Sequence, residues 1–386
     1  MSSAKQALPQ ARAPTLPSKT TPEQRYWRSY INPQLIKENH PINSIEFNPA
    51  TNDFAVASST KIQVFSGKTR QVVKTYSRFK DVVYCGNYRH DGKLLVAADA
   101  SGLVSIYDCF KPNNLLVSWV PSALGTRVAK FNPVKGNHVV TGGNDKKLCI
   151  FDITQTSTPL VSIDAHDDYV SSVSYMDTNL LASGSFDGSV KLWDVRAPES
   201  AVASFDQGNP VADVVVMGSL VVAAGGPVVN VFDLNLNRPI HLLENFTKAT
   251  TCLAPTHNNQ LIVGSLDGTS KVFDADWKVV FGYHFSAPVL SCAANEKHFA
   301  TGLTSGLLTI RSRKTSKTTK AKEFAGEEDH VIVQHLGSKK VTGTAGELMA
   351  NYKKSLQVEN PADLNQQIRE AKQAQEVCGM LQFLGV

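Results

Sequence analysis

The stretch Leu180–Asp194, LLASGSFDGSVKLWD, recurs in degenerate form about every forty residues along most of the chain. No other feature constrains the fold as tightly. Aligning the copies on the apolar residue that matches Leu192 gives Val64, Ile106, Ile150, Leu192, Val231, Val272 and Ile310. Successive anchors lie 42, 44, 42, 39, 41 and 38 residues apart. In the fourth copy Tyr169–Tyr175 alternates, Leu180–Gly184 is a short apolar run, Phe186–Gly188 is a turn and Ser189–Asp194 is the next strand. Asp-Gly between two β-rich runs is a hairpin signal, because glycine accepts positive φ. The same turn reads Asn144-Asp145-Lys146 in copy three and Leu266-Asp267-Gly268 in copy six.

Four short strands repeated every 40–45 residues or so is the period of a WD40 propeller blade. One blade cannot bury both of its faces; stacked blades can, and a closed ring leaves only short protected edges. The anchors therefore predict an all-β, seven-bladed WD40 β-propeller over residues 25–310. Copy seven offers only three strands, Val289–Ala293, His298–Gly302 and Leu307–Arg311. Gln34–Glu38 fits the missing one, so an N-terminal strand is expected to close the last blade.

Copy four also carries His166, Ser183, Asp187 and Trp193. A catalytic Ser-His-Asp set is one reading. The repeat accounts for all four residues as a structural chain from indole N–H through hydroxyl and imidazole to carboxylate, because buried polar groups require partners. Elsewhere the set is degraded: Phe151, Phe232 and Phe273 replace the tryptophan, and Leu124 is expected where copy four has His166.

A chain of 386 residues suggests two or three domains by length alone, but the repeat absorbs about 280 of them in one propeller. No run approaches the roughly 18 apolar residues of a membrane helix. The N-terminus lacks the apolar segment of a signal peptide, which points to an intracellular chain. The six cysteines, at 85, 109, 149, 252, 292 and 378, form no Cys-x-x-Cys pair and read as small apolar residues of a reducing compartment. The sequon Asn245-Phe246-Thr247 then reads as a chance match. Phosphate-loop and metal-ligand spacings are missing, so no catalysis, metal or cofactor is expected.

Charge is unevenly spread: residues 1–40 carry +4, residues 41–310 carry −2 and residues 311–386 carry +3. Residues 1–24 read as a disordered tail, rich in Pro, Ala, Ser and Lys. Tyr26, Trp27 and Tyr30 either pack on the propeller edge or meet a partner. Residues 311–358 read as a basic linker and irregular segment, with Val331–Val333 as a short strand. Residues 359–386 read as an amphipathic helix, the possible start of a C-terminal helical domain. Asn360 is its N-cap, Pro361 and Asp363 lie in its first turn, and Leu364, Ile368, Ala371, Cys378 and Leu381 share a face. No stop signal precedes Val386, which suggests a piece of a longer protein.

Two regions suit macromolecular partners. Loops entering the inner strands of blades two, three and four carry Arg78, Phe79, Lys80 and Asp81, then Arg127, then Asp168 and Tyr169. Arginine and aromatic residues dominate interface hot spots; the bland reading of Phe79 is a side chain folded back on its blade. The run Arg311–Lys322 holds six cations, Arg311, Arg313, Lys314, Lys317, Lys320 and Lys322, and no anion. It suits RNA phosphates or an acidic partner, or else is a solvated linker or a nuclear-import signal. Two rival functions stay open. Trp193-Asp194-Val195-Arg196 matches the Trp-Asp-x-Arg pattern of cullin-type ubiquitin ligase receptors. A histone- or peptide-binding propeller would have an acidic or aromatic-lined central cavity.

The segments Tyr26–Pro49 and Tyr76–Asp108 resemble the U3 small nucleolar RNA-associated protein fifteen family. The most distinctive part is Ser77-Arg78-Phe79-Lys80-Asp81, where a generic blade has a Gly-His dipeptide. The resemblance covers about residues 25–310. It implies a non-enzymatic subunit of the UTP-A (t-UTP) subcomplex of the small-subunit processome in the nucleolus. It further implies contact with other UTP-A/t-UTP subunits, processome proteins and, directly or indirectly, the 5′ external transcribed spacer of pre-rRNA. A role in early small-subunit rRNA processing and a link to rRNA transcription follow. Family members carry a helical C-terminal domain, of which one helix at most is visible here. Neither a membrane nor a small-molecule substrate is expected.

Overall fold

The computed structural model describes residues 20–111, 115–156, 158–313, 331–335 and 341–343. Six four-stranded antiparallel sheets, each built from consecutive strands, span residues 42–76, 83–119, 126–164, 170–206, 211–243 and 250–284. The seventh joins Val289–Ala294, His298–Leu303 and Leu307–Arg313 to Tyr30–Lys37 from the other end of the sequence. Each inner strand contacts the next, and the last, Val289–Ala294, contacts the first, Ile42–Phe47. The seven-bladed ring is therefore closed. Second strands such as Phe54–Ser58 and Leu94–Asp99 are buried along their whole length, because a neighbouring blade covers each face. That explains their unbroken runs of small and apolar residues.

The closing strand is longer than Gln34–Glu38. It pairs antiparallel with Leu307–Arg313 from Tyr30↔Arg313 to Lys37↔Leu307, with a register break between Ile31 and Gln34. Pro33, which has no N–H to give a ladder, sits in that break. Beyond the strand, Glu38 N–H donates to Gly306 O at 2.8 Å. A Cβ on Gly306 would lie 2.3 Å from the Glu38 carbonyl oxygen, and its φ is +77°, so only glycine fits. The buried Glu38 carboxylate pairs with Lys61 of blade one at 3.0 Å. Arg70, also from blade one, donates to Gln34 at 3.1 Å and to Ser312. One apolar cluster runs through the seam, from Ile36, Ala300, Leu308 and Ile310 to Ile42, Phe54 and Phe65.

Two boundaries differ from the sequence reading. The N-terminal tail was expected to extend to residue 24, but Pro22–Arg28 is a helix. Thr21 and Gln24 form a reciprocal capping box and Pro22 opens the first turn, signals overshadowed by the proline-rich composition upstream. The helix exists to place Trp27. Its ring stacks on Tyr30 at 5.2 Å, meets Phe299 at 6.3 Å, and its Nε1–H donates to Gln260 at 2.8 Å. The aromatic cluster thus packs on blades six and seven. At the other end the linker does not begin at residue 311, since the last strand runs to Arg313. The Arg311 guanidinium lies 5.1 Å from the Tyr283 ring and that of Arg313 lies 4.4 Å from Tyr26.

The expected strand at Val331–Val333 is Val331–His335, which pairs parallel to Tyr30–Lys37 and antiparallel to Val341–Gly343. The sheet of blade seven is therefore six-stranded. Residues 1–19, Lys314, Lys317, Lys320, Lys322 and the expected helix over 359–386 lie outside the described residues.

Trp27→Ala is expected to destabilise the ring by about 3–5 kcal/mol, through a cavity between two blades and an unpartnered Gln260. Urea unfolding followed by far-ultraviolet circular dichroism measures it.

Candidate interaction site at the channel mouth

Strand registers, unlike sequence spacing, fix which residues are equivalent from blade to blade. Leu181↔Trp193 in blade four corresponds to Leu95↔Tyr107 in blade two, Val139↔Phe151 in blade three and Leu261↔Phe273 in blade six. By the same registers, the His166 position holds Phe79 in blade two, Ser122 in blade three and Phe246 in blade six. This corrects two expectations. Leu124 does not occupy the histidine position and is 53% exposed. Phe79 is not a free loop aromatic: it is 8% exposed and its ring lies 5.9 Å from Tyr107, the residue in the tryptophan position.

In blade four the polar set is fully joined. Trp193 Nε1–H donates to Ser183 Oγ at 2.9 Å, Ser183 lies 2.7 Å from His166 Nε2, and His166 Nδ1 lies 2.9 Å from Asp187. Burial lowers the His166 pKa, so the imidazole is neutral, with its proton on Nδ1 facing the carboxylate. Burial works against the charged Asp187, but bonds from Ser189 and the nearby imidazole hold its carboxyl at about 2. Ser183 is 0% exposed, so no substrate can reach the hydroxyl. In blade six the positions of His166, Ser183 and Trp193 are filled by Phe246, Val263 and Phe273, with the two rings 6.2 Å apart. The slot is wholly polar in one blade and wholly apolar in the other. Arg196 binds its own Asp194 at 2.7 Å.

The inner strands share a second device. In every blade the register shifts at the second residue of the strand, as at Val83/Cys85, Thr126/Val128 and Val170/Ser172. A bulge leaves one residue unpaired and re-aims its side chain. All seven bulge residues line one end of the central channel, a cavity of about 240 Å³. Asn43, Ser171 and Thr251 donate to carbonyls of the next blade, Val83 at 2.9 Å, Val211 at 2.7 Å and Val289 at 2.9 Å, and so strap the ring together. Ala212 and Leu290 are apolar.

Tyr84 and Arg127 are different. The Arg127 guanidinium lies 5.1 Å from the Tyr84 ring and 4.1 Å from the Tyr169 ring, while its Nε–H donates to Asn144 at 2.8 Å. Tyr169 in turn stacks on Phe186 at 4.1 Å, and Phe186 is 36% exposed. Blades two, three and four thus contribute to one continuous cation–aromatic ladder at the mouth. Asn144 and Phe186 hold the same hairpin position in their blades. Of the expected contact residues, the structure brings Arg127 and Tyr169 together. Asp168 beside them caps the Tyr169 N–H at 2.7 Å, and Arg78, Lys80 and Asp81 are exposed on the loop leading to Tyr84. Phe186 and Tyr84 were missed; an aromatic at the first position of a turn was the one available signal.

Deeper in the channel lie Glu46, Lys130 and Asp213. Asp213 accepts from Ser172 at 2.7 Å and Leu253 N–H at 2.8 Å, linking blades four, five and six. Burial raises its pKa against these bonds and Lys130. Burial likewise pushes Glu46 up to about 7, with Lys130 opposing. The channel is neither uniformly acidic nor aromatic along its length.

With this geometry in place, comparison with known proteins is specific. The WD40 profile (WD domain, G-beta repeat) matches residues 157–194 and 237–274, which include the hairpins of blades four and six. A Saccharomyces cerevisiae relative, U3 small nucleolar RNA-associated protein 15, is 42% identical over 344 residues, covering 84% of this chain and 67% of its own length. The chain belongs to the U3 small nucleolar RNA-associated protein 15 family. The Schizosaccharomyces pombe family member is 37% identical, covering 80% of this chain and 64% of its own length. The human family homologue is 34% identical, with 78% and 60% covered. The chain thus spans between 60% and 67% of the length of these three family members.

Two outcomes are expected. Ser183→Ala strands the Trp193 N–H and costs about 1–3 kcal/mol in urea unfolding. Adding His166→Phe and Trp193→Phe, with valine instead of alanine at 183, copies blade six and recovers most of that loss. Glu46→Gln acts through pH. With its folded pKa raised to about 7 from 4.5, Glu46 withdraws stability as pH rises from 4.5 to 7. The variant therefore melts above the wild type at pH 8, and the gap closes near pH 4, as differential scanning calorimetry at both values tests. Comparison at fixed pH removes the opposite contribution of His298, whose pKa burial lowers to about 4.

Proposed function

We propose that this chain is a non-catalytic scaffold subunit of the U3-containing small-subunit processome in the nucleolus. The observation that carries the reading is the 42% identity to a protein named for association with U3 small nucleolar RNA. The geometry supports it. The Ser-His-Asp set of blade four is sealed in its blade, and the polar side chains of the inner strands mostly hold blades together. What remains outward-facing is a pre-stacked arginine ladder on a rigid ring, the kind of surface that binds macromolecules at low entropic cost.

In this reading the subunit belongs to the UTP-A (t-UTP) subcomplex, serves early pre-rRNA processing and is linked to rRNA transcription. The mouth ladder contacts a neighbouring processome protein. The cations after Arg313, Lys314, Lys317, Lys320 and Lys322, approach the 5′ external transcribed spacer of pre-rRNA. With Arg311 and Arg313 committed to aromatic rings, those four lysines give single-stranded RNA binding a salt slope of about −0.7 × 4, near −3.

Affinity purification of the tagged chain from growing cells is expected to recover processome subunits and U3 small nucleolar RNA. Arg127→Ala combined with Tyr169→Ala, melting as the wild type does, should cut recovery of at least one subunit tenfold or more. Enrichment of cullin-ligase subunits or histones in place of processome proteins would sink the proposal.

A further inference from the structure

Cys252 and Cys292 lie on adjacent inner strands, Thr250–Pro255 of blade six and Val289–Ala294 of blade seven. Their sulfurs are 3.1 Å apart, with the Cys252 S–H directed at Cys292. Both side chains are buried among neighbours, yet both line the wall of the central channel, which opens at the mouth. The space for this contact is built in. A Cβ on Gly264, the residue across the ladder from Cys252, would fall 2.6 Å from the Cys252 sulfur. No other pair among the described cysteines is hydrogen-bonded, and neither thiol serves the polar set of blade four or the mouth ladder.

We propose that Cys252 and Cys292 form a reversible dithiol–disulfide site, oxidised by a small peroxide entering the channel, that ties blade six to the blade carrying the ring closure. The reaction balances in two steps. The Cys252 sulfur, as thiolate, attacks one oxygen of hydrogen peroxide; the O–O bond breaks, giving a sulfenic acid and a hydroxide that takes up the released thiol proton as water. The Cys292 sulfur then attacks the Cys252 sulfur; the S–O bond breaks, the S–S bond forms, and the departing hydroxide leaves with the Cys292 proton as a second water. The two cysteines lose two electrons and the peroxide gains them. A disulfide holds its sulfurs about 2.05 Å apart, so each must travel only ~0.5 Å.

The close contact with Cys252, together with burial, pushes the Cys292 thiol well above its ordinary range. Because the thiolate is the nucleophile, oxidation runs faster as pH rises. Once formed, the link joins positions forty residues apart and restricts the unfolded chain, so the oxidised ring resists heat better than the reduced one.

The test uses the purified full chain, treated with hydrogen peroxide at pH 8, unfolded, alkylated with iodoacetamide and mapped by peptide mass. The expected result is a linked pair of peptides containing Cys252 and Cys292, two hydrogens lighter than the reduced pair, with neither cysteine alkylated. Dithiothreitol should restore both alkylation sites, and the oxidised protein should melt several degrees higher. Cys252→Ser should abolish the link and the shift together. Full alkylation of both residues after peroxide, sulfinic acid at either without a link, or linkage of either to Cys85 would each overturn the proposal in the wild-type protein alone.

Discussion

Everything in this molecule rests on one antiparallel pairing, that of Tyr30–Lys37 with Leu307–Arg313. Every blade has two apolar faces and needs a neighbour on each. In an open array the first and last blades would each leave one face to water. Here the strand that completes blade seven leads directly into blade one, so Ile36, Leu308 and Ile310 share a core with Ile42, Phe54 and Phe65. The side chains around the seam are specialised for that task. Glu38 reaches Lys61, Arg70 reaches Gln34, and Gly306 lets the chain pass close to Glu38. Trp27 then seals the outer side against blades six and seven. Closure is cooperative in a simple sense: neither end of the chain can leave without the other losing its partner.

The ring itself was legible because its signal is periodic. Anchors from Val64 to Ile310 fall on equivalent third strands, and each sits opposite a small or apolar residue of the second strand, as Ala55↔Val64 and Ala300↔Ile310 do. Errors arose where loops carry the alignment. Leu124 and Ser122 are two residues apart, and only the pairing Val104↔Trp119 tells which of them matches His166. Phe79 was ambiguous for the same reason. Its fate is set by Tyr107, twenty-eight residues away, which fills the tryptophan slot and presents a ring for it to cover. The helix Pro22–Arg28 was overlooked because a seven-residue helix has no periodicity to detect; its capping box was the readable part.

Blades two, four and six show how a repeat can lose its polar network without losing its fold. A hydrogen-bonded slot tolerates the loss of one partner poorly, because the others are left buried and unsatisfied. It tolerates wholesale replacement well. Phe246, Val263 and Phe273 in blade six, like Phe79, Ala97 and Tyr107 in blade two, exchange hydrogen bonds for ring packing at the same positions. In blade six the turn aspartate persists apart from this exchange: Asp267 still binds Thr269 and the Thr247 N–H, as Asp187 binds Ser189 and the Asp167 N–H, while in blade two Ser101 holds that position and Asp99 accepts the hairpin bonds. The carboxylate thus belongs to the hairpin, and the histidine, serine and tryptophan belong to the core.

The same bulge, repeated seven times, yields straps on some blades and a ladder on others, and the difference lies in side-chain length. Asn43, Ser171 and Thr251 are short enough for their polar atoms to meet the adjacent carbonyl. Tyr84 and Arg127 extend past that carbonyl and meet one another, and Arg127 then meets Tyr169. A ring of equivalent positions thereby becomes asymmetric, with the proposed contact surface on blades two to four and the closing strand pairing within blade seven. That separation matters for the proposed scaffold role. Side chains at the ladder can change to suit a partner without disturbing the seam, and the seam can hold the ring rigid while the ladder is engaged. Rigidity in turn keeps Arg127 stacked before any partner arrives, so the ordering of its long side chain is settled by folding and not charged to binding.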